Sequence, residues 1–184
     1  RYPSLCMVSI VGASGARADE PGHDLTYLAE NGLVPDLNLP ATLYADMAGS
    51  LLTTEAVLAC LLQRAQARAS TSALGVFREI ALSDAAAYLA LPRHWGLTTP
   101  AGDVGGAHAG YRVYPCKNGR VAVAALEPHF AARLCVAAGL PESAAKKMHT
   151  RSTHSAIAAF LSGRTRAQLD KLAIEQDVPL HTLK

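Results

Sequence analysis

Seven histidines, four cysteines and fifteen carboxylates are spread along 184 residues, and few of them are spaced for joint chemistry. Cys6, Cys60, Cys116 and Cys135 include no C-x-x-C pair and meet no histidine pair at metal-ligand spacing, so no metal site is expected. So few cysteines in a chain of this length do not make a disulfide framework. Cys60 and Cys135 lie among apolar neighbours in helical patterns and read as buried, reduced thiols. The loop G-A-S-G at residues 12–15 follows an apolar run, as a phosphate-binding turn would, yet it lacks the G-x-G-x-x-G pattern and no Walker lysine follows. It also fails as a nucleophile elbow, because Ala16 stands where G-x-S-x-G needs its last glycine, so Ser14 reads as a loop residue. Three acid/base side chains remain at positions that open helical patterns: His23, Asp46 and Glu127. Taken one at a time, each has a plain structural reading. His23 would hydrogen-bond locally at a helix start, Asp46 would complement a helix dipole, and Glu127 before Pro128 would mark another helix start.

The elements that must position these groups are legible from periodicity and breakers. Residues 5–11 are apolar with β-branched Val8 and Ile10, which predicts a buried strand closed by Gly12. Residues 23–31 predict a helix ended by Gly32, and 35–40 a loop. A long helix is predicted over 46–67, with Leu51, Leu52, Val57, Leu58, Leu61 and Leu62 as its apolar face. Residues 76–82 predict a strand, and Ser83-Asp84 the cap of a short helix to about Leu91. The stretch 98–110, with Pro100, Gly102, Gly105, Gly106 and Gly110, predicts a linker. Asn118-Gly119 between alternating residues 111–114 and 120–124 predicts a hairpin. Helices are predicted at 128–138, stopped by Gly139, and at 152–161 and 165–176.

Composition bounds the function class. Half the residues are hydrophobic and 17% are charged, which predicts a globular chain able to bury a substantial core. A formal net charge of +2 does not point to a nucleic-acid partner. Lys146, Lys147, Arg151, Arg164, Arg166 and Lys171 bias the C-terminal part towards basic, which reads as a solvated helix face. No unbroken apolar run reaches the roughly 20 residues of a membrane span, so no span is expected. The first residue is arginine; residues 5–13 resemble a signal-peptide core in composition but read better as a strand entered from inside a domain. A cytoplasmic protein with a truncated start is the expectation.

The segment P-G-H-D-L-T-Y-L-A-E-N-G at 21–32 resembles the G-H-D-x-x-Y-L-A-x-x-G signature of the α-methylacyl-CoA racemase branch of the class III coenzyme A transferases (CaiB/BaiF type). Three further matches follow in order. L-Y-A-D-M-A-G at 43–49 is similar to the family's aspartate-bearing helix start. A-A-L-E-P-H-F at 124–130 resembles its G-A-x-E-P-x-F element, and F-L-S-G-R-T-R-A-Q-L at 160–169 a late helix pair. The resemblance implies an α/β fold: the later part of a Rossmann-like large domain over 1–97, a glycine-rich linker over 98–110 and a small α+β domain over 111–184. It also implies an interlocked dimer or a complementing subunit, an acyl-CoA thioester as substrate, and no cofactor beyond the coenzyme A carried by that substrate. The family's first half has no counterpart before Arg1, and its G-x-G element after the long helix is replaced at 69–75 by A-S-T-S-A-L-G.

Racemising a 2-substituted acyl-CoA requires one group to remove the α proton and another to return one on the opposite face, with the enolate oxygen stabilised between them. By the resemblance His23 is one base, Asp46 the other, and Glu127 orients or tunes the imidazole. Asp24 and Tyr27 are expected as substrate-binding residues. The transferase branch implies a different use of Asp46, as a nucleophile giving a mixed anhydride and then a CoA thioester, with the glycine-rich 102–110 covering the carboxylate. A truncated, non-catalytic assembly partner is the third reading.

Overall fold

A computed structural model describes residues 5–67 and 75–184, with the side chain of residue 67 left aside; most of the segment 69–75 lies outside the described residues. The chain forms two compact units, Arg1–Leu91 and Pro92–Lys184.

The first unit is α/β. Strand β1 (Met7–Val11) pairs in parallel with β2 (Phe77–Ala81), from Met7 opposite Phe77 to Val11 opposite Ala81. Parallel neighbours need a long crossover. Here it holds α1 (Asp24–Glu30) and the 24-residue α2 (Tyr44–Ala67), and α3 (Leu82–Leu89) follows β2 directly. The core is Tyr27, Leu28, Ala45 and Ala86, with Leu33, Val34 and Leu82 packed against it.

The buried face of α2 is not the leucine face expected from the sequence. Ala45, Ala48, Ala56 and Cys60 are buried, while Leu51, Leu58, Leu61 and Leu62 are more than half exposed. Small residues at turn spacing let α2 lie close to its neighbours. A Cβ on Gly49 would fall 2.4 Å from Leu82 Cδ2, so that glycine makes room for the first residue of α3. The same helix bears on the membrane reading. Tyr44–Gln66, a 23-residue stretch holding an 18-residue window of mean hydropathy 1.4, is long and apolar enough to cross a bilayer by length and composition. Asp46, Glu55 and Arg64 interrupt any unbroken apolar run, but alanine and leucine keep the mean high.

In the second unit β3 (Tyr111–Cys116), β4 (Gly119–Ala124) and β5 (Leu180–Leu183) form an antiparallel sheet in that order. The short α4 (Leu91–His94) stands at the division between the units. Helices α5 (Pro128–Ala137), α6 (Arg151–Ser162) and α7 (Arg166–Glu175) supply the rest of the unit. Val121, Val123, Leu134, Met148, Ile157, Leu161 and Leu169 close the core at 3% exposure or less. Thr165 caps α7 through a reciprocal pair with Gln168. Strand β5 was not anticipated. Gly119 admits it, since a Cβ there would meet the Leu183 carbonyl oxygen at 2.3 Å.

Candidate active site

The G-H-D-x-x-Y segment builds the start of α1 residue by residue. Gly22 leaves space for the Tyr27 ring, which a Cβ would approach at 2.5–2.7 Å. His23 is extended, with φ −142° and ψ 170°, and immediately precedes the helix. Its backbone is held at both polar groups by one side chain: Thr26 Oγ1 accepts from the His23 N–H at 3.0 Å and donates to the His23 carbonyl at 2.8 Å. The imidazole itself is exposed.

Asp24 is 5% exposed, and its carboxylate reaches across to another helix. Oδ1 accepts from the backbone N–H of Ala45 at 2.7 Å and of Asp46 at 3.1 Å. Both donors lie in the first turn of α2, whose N–H groups have no partner within the helix. Leu43, the residue before α2, has no side-chain acceptor, so a carboxylate about 20 residues earlier does the capping. Two charge-assisted bonds and the helix dipole offset the cost of burying that charge.

Asp46 follows in the same turn, exposed at the N-terminal end of α2. Tyr27, expected beside substrate, is 4% exposed and belongs to the core; its hydroxyl is buried without a hydrogen-bond partner. Glu127 lies in the second unit, between β4 and α5. Pro128 takes the first helical position, and the Glu127 carbonyl accepts from Ala131 N–H at 2.9 Å. The Glu127 side chain is exposed and takes no part in capping. The first unit therefore brings His23, Asp24, Tyr27 and Asp46 together, while Glu127 is carried by the second.

The family model described as CoA-transferase family III matches residues 1–184. The chain belongs to CoA-transferase family III. A CaiB/baiF CoA-transferase family protein of Caenorhabditis elegans is 28% identical over 141 residues, covering 68% of this chain and 41% of the relative. Among solved structures, hypothetical protein Rv3272 of Mycobacterium tuberculosis superposes with a TM-score of 0.75 at 16% identity, over 98% of this chain and 54% of that one. A CAIB/BAIF family protein of Brucella suis gives 0.70 at 18% identity, over 99% and 53%. These likenesses establish the α/β fold as part of the family's fold. The chain spans about half the length of the solved relatives it matches.

One titratable cluster of this family III chain went unnoticed in the sequence. His149 Nε2 lies 2.6 Å from Asp103 Oδ1, and the His149 ring meets His108 edge-on at 5.4 Å between centroids. His108 is 8% exposed, and its Nδ1 accepts from Gly110 N–H at 3.1 Å. His154 Nε2 donates to the Ala107 carbonyl at 2.8 Å. Burial pushes His108 below the ordinary histidine range; His149 and His154 push the same way, against Asp103. The hydrogen bond from His149 holds Asp103 below the usual carboxylate value. The separations of 41 and 46 residues that join this cluster leave no local pattern to read. No group of three or more His, Cys, Asp or Glu side chains among the described residues is arranged to hold a metal ion.

Proposed function

We propose that this chain carries the acid/base core of an acyl-CoA racemase, which moves the α proton of a 2-methylacyl-CoA thioester from one face of the carbon to the other. The observation that carries this reading is the Asp24 bridge. It joins two adjoining helix starts that present exposed His23 on one and exposed Asp46 on the other. One group takes the α proton and the electron pair moves onto the thioester oxygen. The opposite group returns a proton to the other face, so the reaction is redox-neutral and releases nothing. Glu127 is the third catalytic residue of this reading, and the enzyme works in the cytoplasm as a homodimer or with a complementing subunit. Incubation with 2-methylacyl-CoA in deuterated water tests the reading. The chain, alone or with that subunit, should exchange the α proton, and His23→Ala and Asp46→Ala should each lower exchange at least about a hundredfold. Full exchange in both variants would remove the role assignments.

The exposure of Asp46 at a helix N-terminus favours one second reading, CoA transfer. Its carboxylate would attack the thioester carbonyl, expelling CoA thiolate and leaving an aspartyl mixed anhydride. The thiolate would then attack the aspartyl carbonyl, releasing the first acid and leaving CoA on Asp46 for an acceptor carboxylate. Hydroxylamine trapping followed by mass spectrometry separates the two readings: a hydroxamate at Asp46 under turnover supports transfer, and its absence alongside α-proton exchange supports racemisation.

A further inference from the structure

We infer that Asp24 is a positioning residue, whose buried carboxylate ties the first turn of α2 to the start of α1 and so sets Asp46 relative to His23. This rests on the acid/base reading of His23 and Asp46. It replaces the substrate-binding role expected of Asp24, because a carboxylate 5% exposed and engaged by two backbone donors presents little of itself to a ligand.

Three features make the tether specific. Asp46 N–H is itself one of the two donors, so the bond acts on the backbone of the very residue assigned to catalysis. Ala45, the other donor, is fully buried, which gives α1 and α2 the close approach that a short aspartate side chain requires. On the other side, Asp24 is bonded directly to His23, whose N–H and carbonyl are both held by Thr26. The path from the His23 backbone to the Asp46 backbone thus runs through one residue and one hydrogen bond. Proton transfer between two groups and one carbon is sensitive to such placement, and a 1 Å shift costs about a hundredfold in rate.

The test compares Asp24→Ala with Asp24→Asn in the full chain, reading kcat and KM for α-proton exchange together with amide hydrogen exchange at Ala45 and Asp46. Asparagine keeps an oxygen that accepts both N–H groups; alanine removes it. The alanine variant should expose both amides and lose about tenfold to a hundredfold in kcat with KM within about threefold, and asparagine should restore both readouts to within about threefold. Unchanged amide exchange in Asp24→Ala overturns the tether. A raised KM at unchanged kcat overturns it in favour of substrate contact, and equal damage in the two variants shows that charge rather than the acceptor matters. Failure of the underlying reading has a different signature: His23→Ala and Asp46→Ala would retain exchange while the two amides still respond to Asp24→Ala.

Discussion

Gly22 and Tyr27 explain the five-residue spacing within the G-H-D-x-x-Y segment. The tyrosine ring folds back over the glycine, and its hydroxyl lies against both Gly22 and Gly12 with no partner. A methyl group on Gly22 would sit 2.5 Å from Tyr27 Oη, and that overpacking should destabilise the first unit by about 1–3 kcal/mol. Tyr27→Phe removes an unsatisfied buried hydroxyl, so stability should be unchanged or rise by up to about 1 kcal/mol. Combining the two should recover only a small part of the Gly22→Ala loss, since Oη is gone but the ring atoms Cε1 and Cζ still meet the methyl group at 2.7 Å. Urea unfolding of the three variants measures all of these. A Tyr27→Phe variant that loses more than about 1 kcal/mol would mean the hydroxyl does have a partner in solution, and a raised KM in that variant would return Tyr27 to the substrate.

At the scale of the element, the segment 98–110 is more than the linker its glycines suggested. It turns once at Asp103–Gly105, and its Ala109 N–H donates to the Met148 carbonyl at 2.9 Å. Arg112 and His154 hold its Gly106 and Ala107 carbonyls, and His108 holds the Gly110 N–H. Protonating His108 would turn its Nδ1 acceptor into a donor facing another donor. Its folded pKa is depressed below the ordinary 6.5, so as pH falls the unfolded chain takes up the proton first. The unfolded state then binds more protons, and stability falls with pH. The contribution is complete above about 6.5 and is lost as pH drops towards the folded value. Asp103 works in the opposite sense to a raised carboxylate: its depressed pKa adds stability above 3.8 that is lost only in more acidic solution. Unfolding midpoints of the second unit should therefore decline between pH 7 and about pH 5. His108→Asn, which keeps an acceptor for Gly110 without the titration, should flatten that decline. A wild-type profile already flat across this window would show that His108 is accessible to protons in the folded state.

At the scale of the molecule, the first unit leaves much apolar surface uncovered. Leu5, Met7 and Ile10 around β1 and Phe77 on β2 are each more than half exposed, as are Met47, Leu51, Leu58, Leu61 and Leu62 of α2. A two-stranded parallel sheet is ordinarily covered on both faces, and contiguous apolar patches beyond a few hundred Å² are uncommon on monomers. The chain should therefore self-associate or bind a partner through this unit. Light scattering should report a species larger than 19.3 kDa, and Leu58→Lys with Leu62→Lys should shift it towards monomer. A monodisperse monomer that binds no hydrophobic dye would refute the association.

Most element positions were legible because their determinants are local. Gly32 and Gly139 end α1 and α5 in the left-handed conformation, at φ 67° and 76°, as their place after an amphipathic run implies. Pro128 marks the start of α5, and alternation frames the β3–β4 hairpin. The candidate residues His23, Asp46 and Glu127 were visible only as helix starts until their motifs were read together. Tertiary structure alone decided that α2 buries alanines rather than leucines, because that choice depends on how closely α3 approaches. It alone decided the place of β5, whose four residues acquire a strand's hydrogen bonds only when β4 lies beside them. It decided the role of Asp24 as well. Its partners are two backbone N–H groups more than 20 residues away, and a backbone donor has the same chemistry whatever side chain the sequence places beside it.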